Sequence, residues 1–262
     1  MKAAYEYVTA ARSKDRQTGL DFINHIFKGF IELHGDRRFA DDPSVVGGLA
    51  YLDDIPVTVI ATEKGRDTKS RIRRNFGMAN PEGYRKAQRL MKQAEKFNRP
   101  VVCFVDTSGA YPGIGAEERG QGQAIAESIM EMMTLRVPIL SVVIGEGGSG
   151  GALALAVADE VWMLENATYS VIAPESCANI LWRDPDKAAE AAESLRLTAK
   201  DVYELGVVER IISEKGGDTE RLFASLAADI RSWYVKMKVF TPEELTESRY
   251  KRFRRIGVQK TS

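Results

Sequence analysis

The chain has 262 residues, enough to bury a substantial core, and all-β or α/β architectures of this length often form one domain. Lys+Arg and Asp+Glu each total 37, so the formal net charge is zero, the whole-molecule field offers no argument for nucleic acid or acidic partners, and any charge-driven binding has to be local. Two cysteines, Cys103 in an apolar run and Cys177, argue against a disulfide framework or a zinc site, and with no apolar signal core or membrane-length segment the expectation is a soluble, cytoplasmic protein without a membrane partner.

In chain order, residues 18–34 predict an amphipathic helix capped by Thr18, with Leu20, Ile23, Phe27 and Phe30 at helical spacing and Gly35 at its exit. From Val45 to Thr62 the pattern becomes two strands with a tight turn at Asp53-Asp54, and Pro56 points to a sheet edge. Asn80-Pro81-Glu82 predicts a helix start with Asn80 as side-chain cap, and the inward stripe is Tyr84, Ala87, Leu90, Ala94 and Phe97. Residues 100–106 read as an apolar strand, 107–115 as a loop bearing glycine and proline, and about 117–135 as a helix. Residues 137–144 have the continuous apolar pattern of a strand buried on both faces, which runs into the glycine turn 145–151 and a small-residue helix over 150–158. Strands are predicted at 161–164 and 168–172. Past residue 175 the chain reads as mostly helical, with an N-cap at Thr198, a stop at Gly206 and a capping box at Thr241-Pro242-Glu243-Glu244.

A strand that ends in glycines and enters a helix exposes backbone N–H groups where negative charge is stabilised. The spacing Gly145-x-Gly147-x-x-Gly150 also fits the dinucleotide fingerprint, with Glu165 near the place of a ribose-binding acid, but a hairpin, a helix and a strand precede it. A P-loop is excluded because no Lys-Ser or Lys-Thr follows the glycines, and close helix–sheet packing is the plain structural alternative. The second glycine loop favours a different use: two such loops leaving neighbouring strands surround one developing oxyanion with main-chain donors. His25 and His34, the only histidines, read as surface residues of the N-terminal arm. No histidine follows Ser108 or Ser149, which argues against a Ser-His-Asp hydrolase. Asp106, Glu117, Glu118 and Glu146 read as capping or solvated carboxylates. The basic runs Lys69, Arg71, Arg73, Arg74 and Arg249, Lys251, Arg252, Arg254, Arg255 read as solvated helix faces.

The runs Lys64-Gly65-Arg66-Asp67-Thr68, 73–78, 81–87, 109–121, 145–156 and Tyr169-Ser170-Val171-Ile172, with Ala178 and Ile180-Leu181-Trp182, resemble the carboxyltransferase α subunits of bacterial acetyl-CoA carboxylase, in order and from about residue 18 to near the C-terminus. The resemblance implies an α/β, crotonase-like (ClpP/crotonase) spiral of β-β-α units with an N-terminal helical arm and C-terminal helices. It also implies one biotin-side carboxyltransferase domain over 1–262: an arm over about 1–40, a core over 41–215 and helices over 216–262. The implied activity is transfer of a carboxyl group from carboxybiotin on the biotin carboxyl carrier protein to acetyl-CoA, giving malonyl-CoA for fatty acid synthesis within an ATP-dependent complex. Carboxybiotin loses CO2, leaving a stabilised ureido oxygen anion; biotin N1′ then takes a proton from acetyl-CoA, and the resulting enolate attacks the CO2.

Carried over residue by residue, Gly150 and Gly151 are the catalytic main-chain donors to that oxygen. Gly109, Ala110, Tyr111, Pro112, Gly113, Gly148 and Ser149 bind biotin, Tyr111 giving apolar area and Pro112 fixing the turn. Arg71, Arg73 and Arg74 become candidate contacts to CoA, carrier or β subunit, and no metal is expected in this chain. The implied partners are a zinc-ribbon-bearing β subunit in an α2β2 heterotetramer, the biotin carboxyl carrier protein and biotin carboxylase. Ser108, Ser176 and Asn80 depart from the family pattern, and a reduced N-terminal extension bears on assembly rather than chemistry. The alternatives are a non-catalytic crotonase-like assembly subunit and a dinucleotide-binding oxidoreductase.

Overall fold

The computed structural model describes residues 2–214 and 217–258; the parts of the predicted intervals at residues 1, 215–216 and 259–262 lie outside them. Helices α1 (Ala4–Ala11) and α2 (Gly19–Ile26) lead into strand β1 (Lys28–Glu32). The Thr18 N–H donates to Asp21 Oδ2 at 2.6 Å, which fixes the start of α2. The helix predicted over 18–34 ends early: Phe27 is extended, at φ −114 and ψ 152, and Gly29 takes φ +62. Pairing with the next strand overrides the local helical spacing, and β1 joins the sheet across an irregular register between Lys28 and Ile31.

Strands β2 (Val45–Leu52) and β3 (Ile55–Thr62) form the expected hairpin, with Asp53 at φ 54 in the turn. Pro56, read as an edge marker, lies instead in an interior strand. It is tolerated because N–H groups of its parity face the next strand, where Thr58 N–H donates to Pro100 O at 3.0 Å, and that pairing begins only at Thr58.

Helix α3 (Thr68–Arg73) is short, and α4 (Pro81–Lys96) buries Tyr84, Ala87, Leu90 and Ala94 as the stripe required. Two details differ. Phe97 is 58% exposed past the helix end, and Asn80 gives no side-chain cap, its own N–H donating to Asp42 Oδ2. Strand β4 (Val101–Thr107) is followed by α5 (Ile114–Glu118) and α6 (Gln121–Thr134), a predicted single helix divided where Gly120 adopts φ +81.

Strand β5 (Ile139–Gly148) extends through most of the glycine run, and α7 (Ser149–Leu153) is shorter than predicted, giving way to the buried stretch Ala154–Ala158. Then come β6 (Glu160–Leu164), β7 (Thr168–Ser170), α8 (Pro174–Trp182), α9 (Ala188–Leu195), α10 (Ala199–Glu204), β8 (Arg210–Ile212), α11 (Thr219–Met237) and α12 (Pro242–Arg255). The predicted caps at Thr198 and Thr241 both form. β8 has no counterpart in the sequence reading, being a three-residue strand in a helical context.

Among the described residues the strands form one eight-stranded sheet, ordered β1-β2-β3-β4-β5-β6-β8, with β7 pairing β5 beyond the end of β6. β1, β2 and β3 are antiparallel neighbours and the other pairings are parallel. Every residue of β4 is buried, because α2 packs on one face and helices of the other layer cover the opposite one. Phe22 of α2 stacks on Phe104 of β4 at 5.3 Å and meets Phe223 of α11 edge-on at 5.1 Å.

The C-terminal basic run is a solvated face only in part: Lys251, Arg254 and Arg255 are exposed, while Arg249 and Arg252 are buried. Arg249 is 1% exposed: its Nε donates to Asp159 Oδ1 at 2.9 Å, its Nη1 to the carbonyls of Met132 and Leu135 at 2.7 Å each, and its Nη2 to Val137 O at 3.1 Å. Arg252 holds Glu209 at 2.7 Å and Val207 O at 2.6 Å. These arginines fasten α12 to the end of α6 and to the segments leading into β5, β6 and β8. Arg249→Met strands the buried Asp159 carboxylate and is expected to cost about 3–5 kcal/mol. Arg254→Met, at an exposed position, is expected to stay within about 0.5 kcal/mol. Denaturant titration of the two variants checks the difference.

Candidate active site

β4 and β5 are adjacent and parallel, so their C-terminal ends deliver the two glycine loops to one place. Contact between the loops is backbone to backbone. A Cβ on Gly148 would lie 2.1 Å from Ser108 O, and one on Gly151 would lie 2.6 Å from Gly109 C and 2.7 Å from Ala110 N. No side chain fits at either position.

The glycine run is not a turn, as the sequence suggested. Glu146, Gly147 and Gly148 continue β5 and pair with Thr168, Tyr169 and Ser170 of β7. The change of direction falls on Ser149, exposed and at φ +51, a left-handed conformation that costs a non-glycine residue about 1–2 kcal/mol. α7 begins there. Its first-turn N–H groups have no intrahelical acceptor, and among the described residues no other acceptor takes those of Gly150 and Gly151.

The opposing loop is held from within. Gly109 N–H donates to Thr107 Oγ1 at 3.1 Å, and Thr107 Oγ1 donates to Gly109 O at 2.7 Å. Tyr111 N–H donates to Ala79 O at 3.0 Å and its carbonyl accepts from Gln121 Nε2 at 2.9 Å. The Tyr111 ring covers Gly113, where a Cβ would sit 2.4 Å from ring carbon Cε1. Ala110 and Gly113 are half-buried and Pro112 is exposed. Thus Gly109, Ala110, Tyr111, Gly113, Gly148, Ser149, Gly150 and Gly151 share one region.

Beneath the loops lies a chain of charges that sequence reasoning missed. Asp106, expected to be solvated, is 6% exposed. Its Oδ1 accepts the Glu146 N–H at 2.8 Å where β5 bulges away from β4, between the Val105–Val143 and Thr107–Gly147 pairs. Gly145 is glycine for the same reason, since a Cβ there would meet Asp106 Oδ1 at 2.3 Å.

Lys64 Nζ lies 2.7 Å from both Asp106 Oδ1 and Glu146 Oε2. Arg12, just after α1, reaches Glu146 Oε1 at 2.7 Å and Glu175 Oε1 at 2.6 Å. Burial pushes the Glu146 carboxyl up, but the opposing pull of Lys64 and Arg12 prevails and holds it below the usual carboxylate range. Burial likewise pulls the Lys64 ammonium down, and Asp106 with Glu146 more than offset this, raising it. Lys64 belongs to a run singled out in the sequence, though not as a charge partner. Nothing in the spacing of Arg12 signals its role.

Of the basic trio, Arg71 lines a cavity of about 190 Å³ with Arg12, Lys64, Phe76, Ser108 and Glu146. Its Nε donates to Gly65 O at 3.2 Å. Arg74 is turned to a structural task, donating to Pro43 O at 2.7 Å, and Arg73 is exposed; neither lines that cavity. A larger cavity of about 630 Å³, near Arg16, Phe22 and Leu222, contains no residue of either glycine loop and carries none of this chemistry. His25 stacks on Phe223 at 4.4 Å and His34 meets Asp41 at 3.0 Å, both away from the loops. Glu117 and Glu118 are exposed. Glu165 accepts from Ser213 Oγ and Glu214 N–H, and Gly145 and Gly147 lie in a strand, so the dinucleotide spacing does not describe a nucleotide loop. Among the described residues no group of three His, Cys, Asp or Glu is placed to hold a metal ion.

Residues 3–257 match the family described as "Acetyl co-enzyme A carboxylase carboxyltransferase-like". The chain is 61% identical over 256 residues to the acetyl-coenzyme A carboxylase carboxyl transferase subunit alpha of Ruminiclostridium cellulolyticum, covering 98% of both chains. It is 56% identical over 257 residues to a longer Natranaerobius thermophilus protein named as subunits beta/alpha, covering 97% of this chain and 42% of that one. Among solved structures, transcarboxylase 12S superimposes with a TM-score of 0.70 at 21% identity, over 90% of this chain and 45% of that one, and the architecture is the crotonase-like fold.

Two outcomes follow from the geometry. Gly151→Ala drives a side chain into the 109–110 backbone and is expected to cost about 1–3 kcal/mol. Gly150→Ala, whose Cβ meets nothing nearer than Ile125 at 3.5 Å, is expected to stay within about 1 kcal/mol; equal melting temperatures for the two would contradict this packing. The Glu146 carboxyl, with its folded value depressed, contributes stability that is present above its unfolded value and lost as the pH falls through the folded one. In an NMR titration it is expected to protonate below the usual carboxylate range, and Lys64→Met is expected to move it upward.

Proposed function

The chain belongs to the acetyl-CoA carboxylase carboxyltransferase-like family, and from that membership we propose that it is the α, biotin-side half of a carboxyltransferase that moves a carboxyl group from carboxybiotin to acetyl-CoA, giving malonyl-CoA. The observation that carries this reading is the pair of free N–H donors at Gly150 and Gly151, set against the Gly109–Ala110 backbone. An oxygen on which negative charge develops is the partner such donors require, and a donor in this role lowers the reaction barrier by about 3–4 kcal/mol.

The residues present fit the ureido group of biotin. Its oxygen has the acceptor chemistry for the two N–H groups, and the space above Gly150 is open apart from van der Waals contact with Ile125. Tyr111, fixed over Gly113, supplies an apolar wall with Ala110 and Pro112 alongside, and Gly148 with Ser149 forms the approach to the donors. Bound there on its carrier protein, biotin supplies the carboxyl group and a ring nitrogen for proton transfer. This chain contributes charge stabilisation and shape. Its histidines lie elsewhere, and the carboxylates under the loops, Asp106 and Glu146, are already engaged by Lys64 and Arg12.

A half-site of this kind requires a second chain to present the acyl-CoA. The fused beta/alpha relative supports a β subunit as that partner. The α2β2 assembly with a zinc-ribbon β chain, service by a biotin carboxyl carrier protein and biotin carboxylase, a cytoplasmic location and a role in fatty acid synthesis complete the proposal. No helix among the described residues is long and apolar enough to cross a membrane. Arg71, beside the loops, is the best placed of the basic residues to meet CoA phosphate or the partner. The division into an arm over 1–40, a core over 41–215 and helices over 216–262 belongs to the same reading.

Mixing the chain with its β subunit and following malonyl-CoA-dependent carboxylation of free biotin tests this. Activity is expected only in the mixture, with KM for biotin raised by Tyr111→Ala. Activity from either chain alone, or an inactive mixture, would overturn the split-site assignment.

A further inference from the structure

Between Gly145 and Gly151 only Glu146 and Ser149 carry side chains, and Ser149 is exposed. Glycine imposes few limits on φ and ψ and offers nothing to pack, so the stretch is intrinsically loose. Glu146 is the one side chain by which the rest of the protein grips it. Two cations hold that carboxylate: Lys64, which Asp106 also anchors, and Arg12.

Arg12 comes from outside the sheet. α1 docks through Ala4 and Val8 on Ala192 and Leu197, a cluster separate from the main core. Immediately past its end, the Arg12 guanidinium spans two elements: Nε donates to Glu146 Oε1 at 2.7 Å, while Nη1 and Nη2 donate to Glu175 at 2.6 Å and 3.3 Å. Tyr5 OH braces Glu175 from the same helix at 3.0 Å. The fork shape of the guanidinium is what allows one side chain to tie β5 to α8.

We propose that Arg12 is a positioning residue for the reaction: through Glu146 it sets the Gly148–Gly151 backbone against Ser108–Ala110, which makes the N-terminal helix part of the working site and not merely an assembly contact. This role rests on the assignment of Gly150 and Gly151 as donors to a developing oxyanion.

The test uses the complex with the β subunit. Arg12→Met is expected to lower kcat on the order of 10- to 100-fold while changing KM for biotin and malonyl-CoA less than about threefold, because misplaced donors fail in the transition state rather than in substrate binding. Glu193→Ala removes the carboxylate that accepts the Ala4 N–H at 2.7 Å, loosening the far end of α1 away from Glu146, and is expected to keep kcat within about twofold. Arg12→Lys, which meets only one of the two carboxylates, is expected to fall between wild type and Arg12→Met. Hydrogen exchange reports independently of turnover: in Arg12→Met the 144–153 segment is expected to exchange roughly ten-fold faster while 139–143 is unchanged. An inactive unmodified complex overturns the functional reading and this role with it. An active complex in which Arg12→Met leaves kcat and exchange unaltered, or in which Glu193→Ala lowers kcat as much, overturns the role of Arg12 alone.

Discussion

Everything at this site depends on a contact with no side chain in it, the approach of Gly148 and Gly151 to the backbone of Ser108, Gly109 and Ala110. Parallel neighbours β4 and β5 supply the proximity. What they do not supply is the exact offset, because β5 carries extra residues relative to β4 just before the glycines, and the ladder breaks there. Asp106 repairs the break by accepting the Glu146 N–H in place of a strand carbonyl, and the missing Cβ of Gly145 makes room for it. A carboxylate buried for that purpose needs a cation, which is the reason Lys64 lies under the loops.

The electrostatics follow from burial. Taking Lys64, Asp106 and Glu146 out of water carries a desolvation cost that their mutual attraction offsets only when the geometry is tight and the hydrogen bonds are filled. Both conditions hold, with each contact at 2.7 Å. Such a cluster adds little net stability compared with apolar packing of the same volume, but it defines one arrangement of the strand ends, as the proposed main-chain oxyanion site requires. The neutral formal charge of the whole chain conceals this local organisation.

Much of the frame is legible in the sequence because its signals are local. The hairpin turn at Asp53, the buried stripe of α4, the apolar runs of β4 and β5 and the cap at Thr241 all report on residues close in sequence. Where long-range pairing decides, the pattern misleads. Phe27 and Phe30 keep helical spacing with Ile23, yet the chain becomes a strand because β2 offers an edge there. β8 is a strand only because β6 lies beside it. The glycine loops could be placed near each other from two strand-to-glycine transitions, but Arg12, Lys64, Asp106 and Glu146 are brought together solely by tertiary register. Arg249 and Arg252 show the same limit: a run of cations looks solvated until the carbonyls at the end of α6 and the carboxylates of Asp159 and Glu209 close around it.

The short length of α7 sharpens what the donors are. Five residues build only a fraction of the dipole of a long helix, so in the proposed role the stabilisation of charge rests on the individual N–H groups of Gly150 and Gly151 and on where they point. Direction is set by Ser149, whose left-handed backbone turns the strand into the helix in one residue. A strained hinge followed by two glycines has little resistance of its own. The protein restrains it on both sides, through the Gly151 contact with Gly109 and Ala110 and through Glu146 held by Lys64 and Arg12, so that the precision of a backbone site is supplied by charged side chains that are not themselves placed to meet the reacting atoms.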